Sequence, residues 1–158
     1  MLKEEYPRLL RSDAAQRVAA ATRDLMEYVH QLAREKTLPR DFTQRLGKVA
    51  YHAPCHLRAQ NIGFRSRDLL GLVTDEVVLV DACSGVDGTW GMQARFHEAS
   101  LGVARKLLRG IEAAAPDQVA TDCPLAALRI EEGLGRRAVH PVVLLRRAYG
   151  PAGADPAR

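Results

Sequence analysis

The residues of this chain best suited to chemistry are its three cysteines, Cys55, Cys83 and Cys123. A thiolate can attack as a nucleophile, exchange with a disulfide or bind a metal. Three cysteines are too few, and odd in number, for a disulfide scaffold. The cysteines are therefore buried thiols, redox thiols or metal ligands. The sequence around each cysteine helps to distinguish these three roles.

Each cysteine comes shortly after a run of residues that predicts a β-strand. The runs are Lys48–His52, Glu76–Val80 and Gln118–Thr121. The second run is almost continuously apolar, as is typical of a strand inside a parallel sheet. Helical patterns alternate with the strands at 67–72, 93–113, 125–132 and 142–149. This order predicts an α/β fold with a small parallel sheet of three to four strands and flanking helices.

A long helix is predicted before the sheet. Ser12 and Asp13 offer an N-cap, apolar residues then recur at three- and four-residue steps, and Pro39 ends the pattern. We expect three parts: a helical linker over 1–46, a cysteine-rich domain over 47–150 and a disordered tail over 151–158.

The carboxyl ends of parallel strands lie at one edge of a sheet, where open α/β folds bind ligands. The three thiols, separated by 27 and 39 residues, are therefore expected to converge there. Pro54 and Pro124 adjoin two of them and restrict the backbone. Three independent buried cysteines are the alternative.

Three glycines, Gly85, Gly88 and Gly91, follow Cys83 at every third position. Glycines let the backbone pass close to a bulky inorganic group and direct N–H donors towards it, so all three are candidate cofactor-binding residues. Their spacing does not match the dinucleotide or P-loop signatures.

Two histidines flank Cys55. His56 is a candidate fourth metal ligand, and His52 is a candidate to hydrogen-bond the backbone or orient a thiolate. Asp81 and Asp122 come just before the other two cysteines, and each is a candidate ligand or cap. Asp87 is expected to cap a turn.

The composition excludes several classes of protein. The net charge is only +4, and aromatic residues make up 5 %, which argues against nucleic-acid binding. No apolar run approaches the roughly 20 residues of a membrane span, and the first residues lack the apolar core of a secretory signal. Signatures of serine and zinc hydrolases are absent. We predict a cytoplasmic protein.

Four segments resemble the cysteine-rich CCG domain that occurs in the heterodisulfide reductase, glycolate oxidase and anaerobic glycerol-3-phosphate dehydrogenase families of iron–sulfur proteins. They read YHAPCHLRAQNIG, ACSGVDGTWG, TDCPLAALRIEEG and HPVVLLRRAYG. The likeness covers 47–150, and the glycerol-3-phosphate dehydrogenase type is the nearest of the three. Members of the family usually carry two copies of this domain, and this chain resembles a degenerate C-terminal copy.

The resemblance implies which residues hold a metal group. The family pattern is one Cys, then Cys-Cys-Gly, then Cys-x-x-Cys, and it binds an iron–sulfur cluster. Cys55 matches the first Cys, Cys83 and Gly85 match the first Cys and the glycine of the second motif, and Cys123 opens the third.

Two positions depart from the family pattern. Ser84 and Ala126 stand where the family has cysteines, which leaves three thiolates of five. A [4Fe–4S] cluster would then need a ligand other than Cys, such as His56, or one open iron. A Cys₃His zinc site, or a site without metal, is the alternative.

The function implied by the resemblance is electron transfer within an oxidoreductase. The partner would be a flavin-containing dehydrogenase subunit or an N-terminal iron–sulfur half, with electrons passing to a quinone or another carrier. Such partners would also allow peripheral membrane association. A structural docking domain, and thiol–disulfide exchange among the three cysteines, are the other interpretations.

Overall fold

The structure is a computed structural model that describes residues 1–150, and the predicted disordered tail lies outside them. The helices are α1 (Glu5–Leu10), α2 (Asp13–Ala21), α3 (Leu25–Arg34), α4 (Cys55–Ala59), α5 (Arg65–Leu70), α6 (His97–Ala114), α7 (Pro124–Leu134) and α8 (Pro141–Ala148). The strands are β1 (Lys48–His52), β2 (Glu76–Val80) and β3 (Gln118–Thr121). Two short 3₁₀ turns, Trp90–Met92 and Ala94–Phe96, precede α6. Within residues 1–150, no helix has the length and apolarity that a bilayer crossing requires.

β1 is the central strand of a parallel sheet with the order β2-β1-β3. Lys48 pairs with Glu76 on one side, and Val49 pairs with Gln118 on the other. The chain moves outward from β1 to β2 and then crosses to the opposite edge for β3. The topological switch point therefore lies between β1 and β3, where the loops after the two strands diverge and leave a crevice. The predicted α/β class and parallel sheet are confirmed.

Both faces of the sheet are covered by helices, because alternate side chains of a strand point to opposite faces. Ala50 of β1 packs in one cluster with Leu107 of α6 and Ile130 of α7. Its neighbour Tyr51 packs in another cluster with Leu144 of α8. Burial on both faces explains why the central strand β1 carries apolar side chains at the successive positions Val49, Ala50 and Tyr51.

The long N-terminal helix predicted from Ser12 onward is divided in the structure into α2 and α3, and the short helix α1 before it was not predicted. Thr22 is extended after α2, and the Asp24 side chain then accepts hydrogen bonds from the backbone N–H groups of Met26 and Glu27. Glu27 completes a capping box at the start of α3. The apolar periodicity of the sequence continues across this break, which is why one helix was predicted. The short polar side chain of Asp24 nevertheless caps the start of a second helix, so the chain forms two helices.

The third helix belongs to the packed core. Met26 and Ala33 of α3 are buried in a cluster with Leu69 of α5 and Leu145 of α8. By contrast, α1 contributes no buried residue.

The short helix α4, which begins at Cys55, was not predicted. Only five residues long, it offers too few positions for an apolar period to be recognised.

Candidate metal centre

The three cysteines line one cavity at the carboxyl edge of the sheet. This cavity, here called the thiol cavity, has a volume of about 370 Å³, which is within the range of small-ligand and cofactor sites. Cys55 follows β1 and Cys123 follows β3, so these two thiols flank the switch point. The predicted convergence of the cysteines is therefore seen in the structure.

Backbone N–H groups donate to two of the three sulfurs. The N–H of Gly85 lies 3.3 Å from Cys83 Sγ. Cys123 is the N-cap of α7, and its Sγ accepts from the N–H of Ala126 at 3.5 Å. Hydrogen bonds of this kind orient the two side chains and direct N–H dipoles at their sulfurs.

The glycines that follow Cys83 have different roles. Gly85 lines the thiol cavity, whereas Gly88 and Gly91 are not among its lining residues. A Cβ on Gly85 would lie 2.2 Å from the carbonyl oxygen of Ser100, and one on Gly91 would lie 2.3 Å from Ser100 Oγ. Gly85 and Gly91 therefore allow the loop to pack closely on α6. Gly88 has open space around it and a φ of +62°, so its requirement is conformational.

A buried hydrogen-bond chain links the three strand ends. The N–H of Cys123 donates to Thr121 Oγ1 at 3.3 Å, and Thr121 Oγ1 lies 2.9 Å from His52 Nδ1. His52 Nε2 lies 3.1 Å from the carbonyl oxygen of Ala82. Since a carbonyl only accepts, Nε2 carries the proton, and the Thr121 hydroxyl donates to Nδ1. Burial lowers the pKa of His52, which favours this neutral ring.

His52 is thus placed to orient the backbone beside two cysteines, which is the interpretation predicted from sequence. His56 occupies a different environment. It is exposed on α4, and it is not among the residues that line the thiol cavity. Within residues 1–150, no three His, Cys, Asp or Glu side chains are close enough together to hold one metal ion.

The three aspartates singled out from sequence have distinct positions. Asp87 lines the thiol cavity, and its carbonyl accepts from the N–H of Trp90 in a tight turn. Asp81 pairs with Arg58, with Nη1 2.8 Å from Oδ1. Asp122 has a 4 % exposed side chain that accepts from the hydroxyls of Tyr51 and Ser66 at 2.6 and 2.5 Å. Burial and the Asp122 carboxylate together raise the pKa of Tyr51, so its hydroxyl keeps its proton.

Arg129 was not predicted as a site residue; it is buried on α7 and lines a cavity separate from the thiol cavity. Its only sequence signal is a single cation in the apolar run LAALRI. On α7, its neighbours Ala126 and Ile130 are both buried, so the side chain must enter the same packed face.

Comparison with known proteins identifies relatives for this chain. It is 32 % identical over 152 residues to the C subunit of anaerobic glycerol-3-phosphate dehydrogenase from Escherichia coli strain K12, and the match covers 93 % of this chain. The identity to the same protein of Escherichia coli O157:H7 is also 32 %. This chain is a homologue of these two proteins. The resemblance expected from the cysteine motifs is confirmed.

The chain spans 37 % of the length of these two relatives. That extent is consistent with one copy of the cysteine-rich domain. No family model matches the chain.

Proposed function

We propose that this chain is an iron–sulfur electron-transfer module in which Cys55, Cys83 and Cys123 hold a [4Fe–4S] cluster. The observation that carries the proposal is that thiols from the segments after three different strands line one cavity large enough for a polyatomic cofactor. Cysteine thiolates are the ordinary ligands of such clusters. Three thiolates would supply three of the four ligands that such a cluster ordinarily takes.

The chain's own residues would tune the bound group. A [4Fe–4S] cluster supplies a one-electron redox couple whose potential depends on hydrogen bonds to sulfur and on solvent exposure. The N–H groups of Gly85 and Ala126 stabilise negative charge on Cys83 and Cys123. Because reduction adds negative charge, these two bonds would raise the reduction potential of a bound cluster.

The fourth position has two candidate side chains. His56 adjoins Cys55 in sequence, and Asp87 lines the thiol cavity. We propose both as candidate fourth ligands, because variants at the two positions show which of the side chains binds the cluster.

The relatives suggest the partners. Both belong to an anaerobic glycerol-3-phosphate dehydrogenase of several subunits. We infer that this chain relays electrons between a flavin-containing dehydrogenase partner and a quinone or another carrier. An N-terminal iron–sulfur half would be a second partner. In this proposal the chain is cytoplasmic and reaches a membrane only through its partners.

A zinc-binding or metal-free docking domain is the second candidate function. It is favoured by Ser84 and Ala126, which replace two cysteines of the family pattern. Zinc accepts three thiolates and one imidazole, but no three such side chains within residues 1–150 are close enough together to hold one ion, so a zinc site would require the loops to move.

The deciding measurement is the iron, zinc and acid-labile sulfide content of protein purified without oxygen, together with its visible spectrum. We expect about four irons per chain, matching sulfide and broad visible absorption. About one zinc without sulfide would replace the proposal with the docking domain. If protein that has been purified without oxygen and then reconstituted contains neither iron nor zinc, both the cluster proposal and the zinc proposal are contradicted.

Single variants then assign the ligands. Cys→Ser at 55, 83 or 123 is expected to abolish cluster binding, because each removes one of three thiolates. His56→Ala and Asp87→Ala form the matched pair for the fourth position. The variant at the true ligand changes the electron paramagnetic resonance signature of the reduced cluster, and the other leaves it unchanged.

A further inference from the structure

Arg129 is a buried cation close to the thiol cavity. The residue is 4 % exposed, in the middle of α7. Arginine is almost never fully buried unless it is paired, since removing its charge from water is costly. Its Nη1 lies 2.7 Å from Glu132 Oε2, but the Glu132 side chain is 43 % exposed. The buried Nε of Arg129 has no hydrogen-bond partner within residues 1–150.

The other nitrogen of the guanidinium binds the loop that carries Cys83, which comprises residues 81–91 and is here called the Cys83 loop. Nη2 lies 3.1 Å from the carbonyl oxygen of Gly91 and 2.7 Å from Ser100 Oγ. The Ser100 hydroxyl in turn donates to the carbonyl oxygen of Gly85 at 2.8 Å. Arg129 thus holds one carbonyl of the loop directly and a second through Ser100.

The same helix positions Cys123. α7 begins at Pro124, Cys123 is its N-cap, and the N–H of Ala126 donates to the Cys123 sulfur. A rigid helix therefore joins the anchor of the Cys83 loop to the backbone that presents Cys123. β2 and β3 are not neighbours in the sheet, so strand pairing does not fix these two loops against each other directly.

We propose that Arg129 is a positioning residue that sets the placement of Cys83 relative to Cys123. A buried charge with one unsatisfied nitrogen is a poor source of stability, whereas its donors reach the Gly91 carbonyl directly and the Gly85 carbonyl through Ser100. This proposal concerns the protein without metal. It is therefore tested separately from the proposed cluster.

The test measures thiol-to-thiol cross-linking in the full chain without metal. Cys55→Ser leaves the pair Cys83 and Cys123, and Cys83→Ser leaves the pair Cys55 and Cys123. The reagent for each pair is the shortest bifunctional thiosulfonate that cross-links the two thiols in the parent variant. Adding Arg129→Met is expected to slow cross-linking of the first pair by about tenfold, as for loss of a hydrogen bond to a charged group.

The second pair distinguishes positioning from general destabilisation. Cys55 and Cys123 follow β1 and β3, which pair directly, so Arg129→Met should leave their cross-linking rate unchanged. Equal slowing of both pairs, or no change in the first, would overturn the proposal. Failure of both parent pairs to cross-link would also overturn it, because it requires thiols that share one cavity.

Three further variants complete the design. Arg129→Lys keeps the charge with fewer donors and should restore part of the rate. Arg105→Met removes an exposed arginine from α6 and should change neither pair. Ser100→Ala removes the hydroxyl that joins Arg129 to the Gly85 carbonyl and keeps the Arg129 side chain, so it decides the question if Arg129→Met fails to fold by circular dichroism. Loss of folding in both variants would assign Arg129 a folding role and reject the proposal.

Discussion

At the scale of single residues, the Thr121 hydroxyl is a sharp test of the site, because it both accepts from Cys123 and donates to His52. Thr121→Val has nearly the same shape and leaves two buried polar groups without partners. We expect a loss of about 2–4 kcal/mol in the free energy of unfolding, measured with urea. Thr121→Ser keeps the hydroxyl and is expected to lose about 1 kcal/mol. An equal loss in the two variants would show that the hydroxyl contributes nothing.

Glu27 supplies a pH-dependent contribution to stability. Its carboxylate accepts from Lys3 Nζ at 2.7 Å and from the N–H of Asp24 at 3.2 Å. The hydrogen bond from Lys3 is the main cause that lowers the pKa of Glu27. A lowered folded-state pKa contributes stability that is complete above the ordinary glutamate range and is lost as pH falls through the folded value.

Glu27→Gln should therefore lower the free energy of unfolding by about 0.5 kcal/mol at pH 7, and by less in acid, where the glutamate is protonated as well. The loss is small because Gln also supports a capping box. Urea unfolding near neutrality and near pH 3 measures the difference. Glu112→Gln, at an exposed position of α6, is the matched control. A cost at Glu27 that stays constant with pH would exclude an ionic origin.

Among the site residues, the cysteines could be predicted and Arg129 could not. Each cysteine follows a strand, and parallel topology alone brings strand ends to one edge. The contacts of Arg129 run from α7 to a loop 38 positions earlier, and no local pattern encodes that distance. The hydrogen bonds of Asp122 to Tyr51 and Ser66 likewise depend on packing across the sheet.

At the scale of elements, the Cys83 loop depends on its close approach to α6. Gly85→Ala would place a methyl group 2.2 Å from a backbone oxygen, at a φ of +74°. The loop must then move, and we expect a loss of about 3 kcal/mol or more in the free energy of unfolding. Gly88→Ala has a similar φ of +62° and no atom within 4 Å, so about 1–2 kcal/mol is expected.

The same two variants test the site directly. Gly85→Ala should also change the rate at which a maleimide labels Cys83, because the loop moves. Gly88→Ala should leave that rate close to the wild-type value. Equal stability losses in both variants would mean that only the backbone conformation matters, and that the contact with Ser100 is unimportant.

The three strands matched their predicted bounds, because each is a short run of buried β-formers with a break after it. Helix ends were less accurate. The helix predicted from residue 93 begins at His97, because two 3₁₀ turns occupy the preceding residues. The break between α2 and α3 was missed because the apolar period continues across it.

At the scale of the whole molecule, the N-terminal helices differ in their contribution to the core. Deletion of residues 1–10 removes α1, which buries no side chain, and should leave a cooperatively folded protein. Deletion of 1–46 also removes Met26 and Ala33, and it exposes the faces of α5 and α8. We expect that truncated chain to lose cooperative unfolding, since one large buried side chain is worth about 2–5 kcal/mol.

Thermal unfolding followed by circular dichroism measures both deletions. A folded 47–158 chain would show that the first 46 residues are a linker separate from the cysteine-rich domain, as predicted from sequence. Loss of folding on deletion of 1–10 would contradict the assignment of α1 to the surface.

The central position of β1 has a consequence for biosynthesis. This strand leaves the ribosome before either neighbour, and its partners lie 28 residues later on one side and 69 later on the other. Contacts across such separations close slowly. During translation, β1 and β2 can pair while the other edge of β1 stays unpaired until β3 has been made. The nascent chain thus presents Cys55 and Cys83 before Cys123 exists, and any factor that binds all three thiols must act after β3 and the residues that follow it have emerged.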